Sequence, residues 1–445
     1  MDMTSATRPF DTRHRHLARS GPTPTITSVF ASENSELSVM TSWLFVCCVT
    51  ARSQAPSSTW LPVRNGATGW LLDRDLSPAA TAETARETAS LIAGIDAAYL
   101  TLYFSISMIV LTIAAGNLGV RLIDRWLGKR LVRVSIAGLT FTTIHAVLVL
   151  SAIDAQAPLA ETPLLTYATM ILLLVVNTVM LAVAVHDLGR TMYVDKAINT
   201  ICDDGKQRPL DLAGSPATDI ELGHEVRAQR SGYVEGTQLD QLAQSLSDCG
   251  RVRVCVAPGQ HVLEGQLLLA SERKCSDEQQ ILHAIPIGPF RSDTQGPVFQ
   301  IRLLVEIAAR ALSPAVNDFY TALAAVDALT ELARGHVPNW VDEGQVPVSA
   351  EHTNIELPGQ DFRGLFEDPL AALRQSSADY PPVAIRLIGN LQRLVEVSHT
   401  APDGFHQFLL RYVDELHTHA HSRCELDADR RALDRAREDF RMEAR

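Results

Sequence analysis

Three stretches of this 445-residue chain contain no aspartate, glutamate, lysine or arginine: residues 97–116, 134–153 and 164–185, of 20, 20 and 22 residues. At a helical rise of about 1.5 Å per residue, each matches the roughly 30 Å hydrocarbon thickness of a bilayer. Three such runs so close together exclude a wholly water-soluble protein. A basic excess is also lacking: 39 Lys and Arg stand against 51 Asp and Glu, a net charge of −12. That balance argues against a nucleic-acid binder, which needs a basic face. The seven cysteines (Cys47, Cys48, Cys202, Cys249, Cys255, Cys275 and Cys424) include no C-x-x-C pair. An odd, dispersed set reads as reduced thiols in a reducing compartment. There is no P-loop, no G-x-S-x-G elbow, no G-x-G-x-x-G after a strand and no kinase signature. The chain is therefore read as a non-enzyme, with no catalytic, cofactor or metal site expected.

What is present divides into a membrane region and a polar region, and the average of the two hides both: mean hydropathy is only +0.05. Residues 1–37 are polar and loop-like, with Arg8, Arg13, Arg15 and Arg19, and are expected to be disordered. Residues 38–52 hold a short apolar segment at 42–50, read as a truncated first membrane helix, an interfacial segment or a signal-like h-region. Residues 53–96 read as an extramembrane loop and a helical lead-in. Residues 97–186 carry three transmembrane helices. Residues 187–445 read as a cytoplasmic α+β domain large enough to bury its own core.

Orientation follows from positive charge near the span ends. The connection after the first clear span contains Arg121, Arg125, Lys129, Arg130 and Arg133, whereas residues 154–163 contain no Lys or Arg. The basic connection and the C-terminal region are thus placed in the cytoplasm, with the 154–163 loop outside. Were residues 42–50 to cross as well, the basic N-terminus would share that side, and charge and parity would agree on four spans.

Few polar side chains interrupt the spans. His145 lies near the middle of the second, beside Thr142 and Thr143, and Asn177 lies in the third. An ionisable or amide side chain at that depth suggests proton or ion passage; the plainer reading is interhelical hydrogen bonding.

In the polar region, Arg251-Val252-Arg253-Val254 alternates as a strand does, Pro258-Gly259 turns it, and residues 262–269 read as the returning strand. A helix is expected over 298–312, broken at Ser313-Pro314, and a second from Phe319 to Arg334 with Gly335 at its end. Asn317 or Asp318 is the natural N-cap of the second. Beyond Pro381, two or three further helices complete the chain. Arg302, Glu306 and Arg310, spaced i, i+4, i+8, share one helical stripe. That stripe is either a self-paired solvated face or a surface turned to a ligand, a partner or headgroups. Ser313, Asn317 and Asp318 at the helix corner either bind an ion through the next helix's free amides or simply end one helix and cap the other. His417, His419 and His421 with Cys424 form a His-rich tract, read as exposed histidines in preference to a metal site.

The V-x-P-G-x-x-V-x-x-G turn at 256–265 is similar in shape to the hairpins of biotinyl and lipoyl carrier domains. The carrier lysine is missing from the hairpin tip, since Lys274 lies past the final strand. The whole pattern resembles a bacterial family of predicted membrane proteins, domain of unknown function 2254. The resemblance is carried by SMIVLTIAAGNLGVRLIDRWLGKR at 107–130, HDLGRTMYVDKAI at 186–198 and GYV at Gly232. Its most specific part is IGPFRSDTQGPVFQIRLLVEIAARALSPAVNDFYTA at 287–322. The residue after Asn-Asp in the family pattern is often Pro, where this chain has Phe319, and the first span is shortened to 42–50. The resemblance implies an architecture and a motif but no mechanism.

Two functions are therefore expected to compete. One is a transport or channel-like assembly, or a component of one, self-associating in the lipid bilayer. The other is a membrane-anchored sensor or scaffold whose cytoplasmic domain binds a ligand or protein. The first requires the intramembrane polar groups to face one another. The second would spread them and expose the Arg302–Glu306–Arg310 stripe.

Overall fold

The computed structural model describes residues 73–74, 79–119, 129–190, 193–206, 210–216, 222–246, 248–275, 277–291 and 296–444. The segments at 1–37 and 42–50 lie outside the described residues, and with them the fourth span; so do Arg121 and Arg125. The three charge-free runs lie in helices α1 (Ala82–Leu118), α2 (Arg130–Ala152) and α3 (Leu164–Arg190). All three are long and apolar enough to cross a membrane. The shortest, of 23 residues, is about 35 Å long at the helical rise. Thr81 starts α1 by accepting a hydrogen bond from the Thr84 amide at 3.1 Å, the usual relief for an orphan N–H in a first turn.

By chain contacts the protein divides into two compact units, one built from Val134–Leu181 with the chain up to Leu102, the other from Tyr103–Arg133 and Ala182–Arg445. In the first, Ala85, Ala89 and Ile92 of α1 meet Ala146 and Val149 of α2 and Tyr167 and Met170 of α3 in one buried cluster. Gly138 lets α2 and α3 approach closely, since a methyl group there would lie 3.0 Å from the Met180 Cε. Leu91, Leu172 and Val179 stand exposed, apolar side chains that suit lipid and would be a liability in water.

The second unit holds two cores. Helix α4 (Val194–Gly205) continues from the third span, and its buried Ile198, Ile201 and Cys202 join the larger, helical core. Then come β1 (Leu212–Pro216), β2 (His224–Arg227), β3 (Gly232–Val234), helix α5 (Leu239–Ser245), β4 (Val252–Val254), β5 (His261–Val262) and β6 (Leu267–Ser271). Helix α6 (Glu278–Ala284) and β7 (Ile287–Gly288) follow. Helices α7 (Pro297–Ala311) and α8 (Phe319–His336), strands β8 (Gln345–Ser349) and β9 (Ile355–Glu356), and helices α9 (Phe362–Ser377), α10 (Pro381–Val397), α11 (Asp403–Arg423) and α12 (Asp427–Glu443) complete the described chain. One sheet runs β1-β8-β9-β4-β6-β2 and another β5-β3-β7. Every pairing is antiparallel except β4 with β9. Val252, Val254, Val262, Leu268 and Ile281 lie in the sheet core. Trp340, Phe362, Phe366, Phe405 and Phe408 form an aromatic knot in the helical core.

Several expectations are corrected. Residues 262–269 do not form one returning strand. Gly265 turns the chain at φ +81°, so that Val262 pairs with Gly232 in the small sheet while β6 pairs with β4 and β2 in the large one. Alternation does not reveal such a switch, because both halves bury their apolar side chains. The chain does not end α8 at Gly335 but runs one residue further, to His336. Cys249 and Cys275 are not dispersed singly but stand side by side. A disulfide joins them across a Cα–Cα distance of 5.0 Å, because the β4–β6 ladder folds positions 26 apart onto one another.

Candidate functional site

Three polar groups, one from each membrane helix, meet through the amide of Asn177. Asp96 belongs to the buried stripe of α1, eleven residues after Ala85 in the 3–4 spacing that Ala89 and Ile92 share, and is 1% exposed. Opposite it stands Asn177, equally buried and thirteen residues from either end of α3. The Asn177 amide donates to the Asp96 Oδ1 at 3.0 Å and also to the Thr142 hydroxyl of α2. Thr142 in turn donates to the Leu139 carbonyl at 3.0 Å. One residue from each helix thus joins a single hydrogen-bonded triad in the middle of the bundle. Tyr99 and Thr178 form a second, exposed contact between α1 and α3, their hydroxyls 3.2 Å apart.

Two of the polar residues singled out in the sequence lie beside this triad without entering it. The Thr143 hydroxyl turns back to the Leu139 carbonyl at 2.8 Å. His145 stacks on Phe141 with its Nε2 3.5 Å from the Thr169 hydroxyl. That hydroxyl already donates to the Thr166 carbonyl at 2.7 Å, so when both contacts are made the histidine Nε2 carries the proton. Sequence reading missed Asp96 because the charge-free run was counted from the residue after it. The signal was the buried 3–4 stripe, which passes straight through position 96.

In the second unit the charged stripe of α7 is half-buried and divided in its duties. Arg302 donates to the Gly259 carbonyl at 2.9 Å, tying α7 to the Pro258-Gly259 turn. Glu306 and Arg310 pair at 3.5 Å and pack against Gly119 at the end of α1, where an added Cβ would lie 3.2 Å from the Glu306 Oε1. Gly119 has φ +103°, a conformation that favours glycine. At the α7–α8 corner, Ser313 accepts through its carbonyl from the Asn317 amide at 2.9 Å, and Asn317 takes φ +48°. Asp318 is the N-cap, accepting from the Thr321 amide and hydroxyl at 3.2 and 2.6 Å. The backbone of Ser313 and Asn317 turns the corner, and the side chain of Asp318 begins the next helix.

The His-rich tract serves packing between α11 and α12. His417 Nε2 lies 2.7 Å from the Asp434 carboxylate, and His421 lies 3.8 Å from it. In the sheet, Glu356 of β9 is buried and receives Arg251 at 3.0 Å and Arg253 at 2.6 Å from the neighbouring β4. In α8, Asp327 accepts from Arg386 and Asn390 of α10. Burial pushes its carboxyl up, but those hydrogen bonds and the guanidinium charge outweigh it and hold Asp327 below the usual carboxylate range.

An uncharacterized protein of Mycobacterium bovis is 33% identical over 137 residues, 28% of this chain and 26% of the relative. Uncharacterized proteins of two Mycobacterium tuberculosis strains match at 33% over 137 residues and 32% over 136, each again covering 28% of this chain and 26% of the relative. The match thus spans about a quarter of the length of these curated relatives. No solved structure matches significantly. The profile of one family covers residues 37–393, from ahead of the first apolar segment to the α10 helix. The chain belongs to the predicted membrane protein family DUF2254.

Proposed function

We propose that this protein is a component of a transport or channel-like assembly that passes protons or small cations across a bacterial inner membrane. The triad Asp96–Asn177–Thr142 carries the reading. An ionisable side chain at mid-bilayer is costly and is commonly retained where it serves a pathway. Here it meets an amide and a hydroxyl from the two neighbouring helices. Three helices enclose little space for a route, so the reading includes self-association of several copies. The charge asymmetry favours a cytoplasmic placement of the region after α3: Lys129, Arg130 and Arg133 lie at one end of α2, and residues 154–163 at the other are free of basic residues.

The test is an imposed pH gradient, and separately a potassium gradient, across proteoliposomes containing the full-length protein. Wild type should dissipate at least one, and Asp96→Asn should lose most of that flux while remaining monodisperse in detergent. Wild-type flux from an assembled Asp96→Asn protein would overturn the proposal, as would a wild type that passes neither ion.

A sensor or scaffold is the second reading, favoured by one observation. Between α9 and α11 lies an open groove of about 980 Å³, lined by Arg374, Gln407, Arg411, Glu415 and His419 among others. Arg374 and Arg411 stand there with Asp414 and Glu415, a mixed lining that suits a small polar ligand.

A further inference from the structure

We propose that Cys249 and Cys275 form a reversible thiol–disulfide exchange site whose co-reactants are low-molecular-weight disulfides and thiols. The β4–β6 ladder positions the two residues whether or not the sulfurs are bonded. Val252 pairs with Ser271, the Glu272 amide donates to the Arg251 carbonyl at 3.0 Å, and the Arg273 amide donates to the Cys249 carbonyl at 2.9 Å. The resulting Cα–Cα distance of 5.0 Å falls inside the window of about 4.4–6.8 Å that a disulfide requires. The bond can therefore form and break without refolding the sheet.

The two sulfurs differ in access. Cys249 is fully buried, whereas Cys275 is half-buried at the end of an exposed segment, Glu272 to Lys274, so a small disulfide reaches Cys275 first. The remaining described cysteines lack these features. Cys202 and Cys424 are buried, and burial pushes the Cys202 thiol up to about 11 and raises Cys424 and Cys255 as well. Reactivity thus falls on the pair.

In the forward direction the Cys275 thiolate attacks one sulfur of a small disulfide, forming a mixed disulfide and releasing one thiolate. Cys249 then attacks the Cys275 sulfur, closes the internal bond and expels the second thiol. The protein gives up two protons and two electrons, and the small disulfide takes them up as it becomes two thiols. Excess thiol runs the same steps backwards.

Reversibility rests on the cytoplasmic placement proposed above, because thiol pools there reduce accessible disulfides. The experiment separates the two claims. Intact cells producing the full-length protein are treated with a membrane-impermeant maleimide, and a second sample is quenched with N-ethylmaleimide during lysis; peptide mass spectrometry then reads each cysteine. The expected result is no impermeant label on Cys275 in intact cells, and both thiols free at lysis. Oxidised glutathione added to isolated membranes should then protect both cysteines together, and dithiothreitol should restore them. In Cys249→Ser the same treatment should leave Cys275 carrying glutathione, since no resolving thiol remains. Impermeant label on Cys275 in intact cells would overturn the placement. A pair bonded at lysis and resistant to dithiothreitol, or free thiols that glutathione disulfide never protects, would overturn the exchange site.

Discussion

Asn177 donates to Asp96 across 3.0 Å from a position 81 residues further along the chain. The amide is the only described group that reaches both Asp96 and Thr142, so it works as the hub of the triad. Replacing Asn177 by Leu removes both bonds and leaves the carboxyl facing hydrocarbon. We expect a lower melting temperature in detergent, and a coupling of about 0.6–1.7 kcal/mol between Asp96→Ala and Asn177→Ala in a double-mutant cycle, the range seen for polar contacts within membranes. A coupling of zero would mean that the two side chains do not share a bond.

Glu356 lies buried with two arginines from one neighbouring strand. Truncating it to Ala leaves both guanidiniums without their carboxylate, and because both keep solvent contact the loss should fall below the about 3–5 kcal/mol typical of breaking a fully buried pair. Arg253 is more exposed than Arg251, so Arg253→Ala should cost less than Arg251→Ala. Urea unfolding followed by tryptophan fluorescence reads all three, and an equal cost for the two arginines would refute the ranking.

His336 is buried at the end of α8 with its Nδ1 2.9 Å from the Leu332 carbonyl. Burial holds its pKa below the ordinary imidazole value, and the Leu332 bond opposes this only in part. The unfolded chain therefore takes up a proton before the folded one does. Stability should be fully present above about pH 6.5, the unfolded value, and should fall as pH drops below it. A His336→Leu variant should show a shallower loss of melting temperature between neutral and mildly acidic pH. If wild type and variant decline in parallel, the histidine plays no part in the pH response.

Gly119 faces Glu306 with a left-handed backbone. Gly119→Ala meets backbone strain of about 1–2 kcal/mol and a close carboxylate together. Glu306→Ala relieves only the second, and it also leaves Arg310 without its 3.5 Å partner. Each single variant should melt lower than wild type in detergent, and Glu306→Ala should fail to restore Gly119→Ala to wild-type stability. Full rescue would show that crowding, and not the backbone, requires glycine.

The spans were legible because hydrophobic length is a one-dimensional property of the chain. The Asp318 cap was legible for a similar reason, since an Asp just before an apolar helical run acts locally. Asp96 was not legible, because its burial depends on which face of α1 meets α2 and α3, and counting charges along the chain discards that angle. The Cys249–Cys275 pair escaped for a related reason: the β4–β6 register, fixed by packing of two valines and Leu269, brings together positions that sequence leaves 26 apart. The split at Gly265 hid within an unbroken apolar pattern.

The separation of Asp96 and Asn177 also sets a problem of timing during synthesis. An aspartate within an inserting helix costs up to about 2.5–3.5 kcal/mol, and its amide partner is not translated until 81 residues later. The first span must therefore enter lipid at a deficit or wait beside the insertion machinery until the third arrives. Biogenesis of this bundle is thereby a joint event of α1 and α3, and a ribosome stalled between them would leave a helix that the bilayer holds poorly.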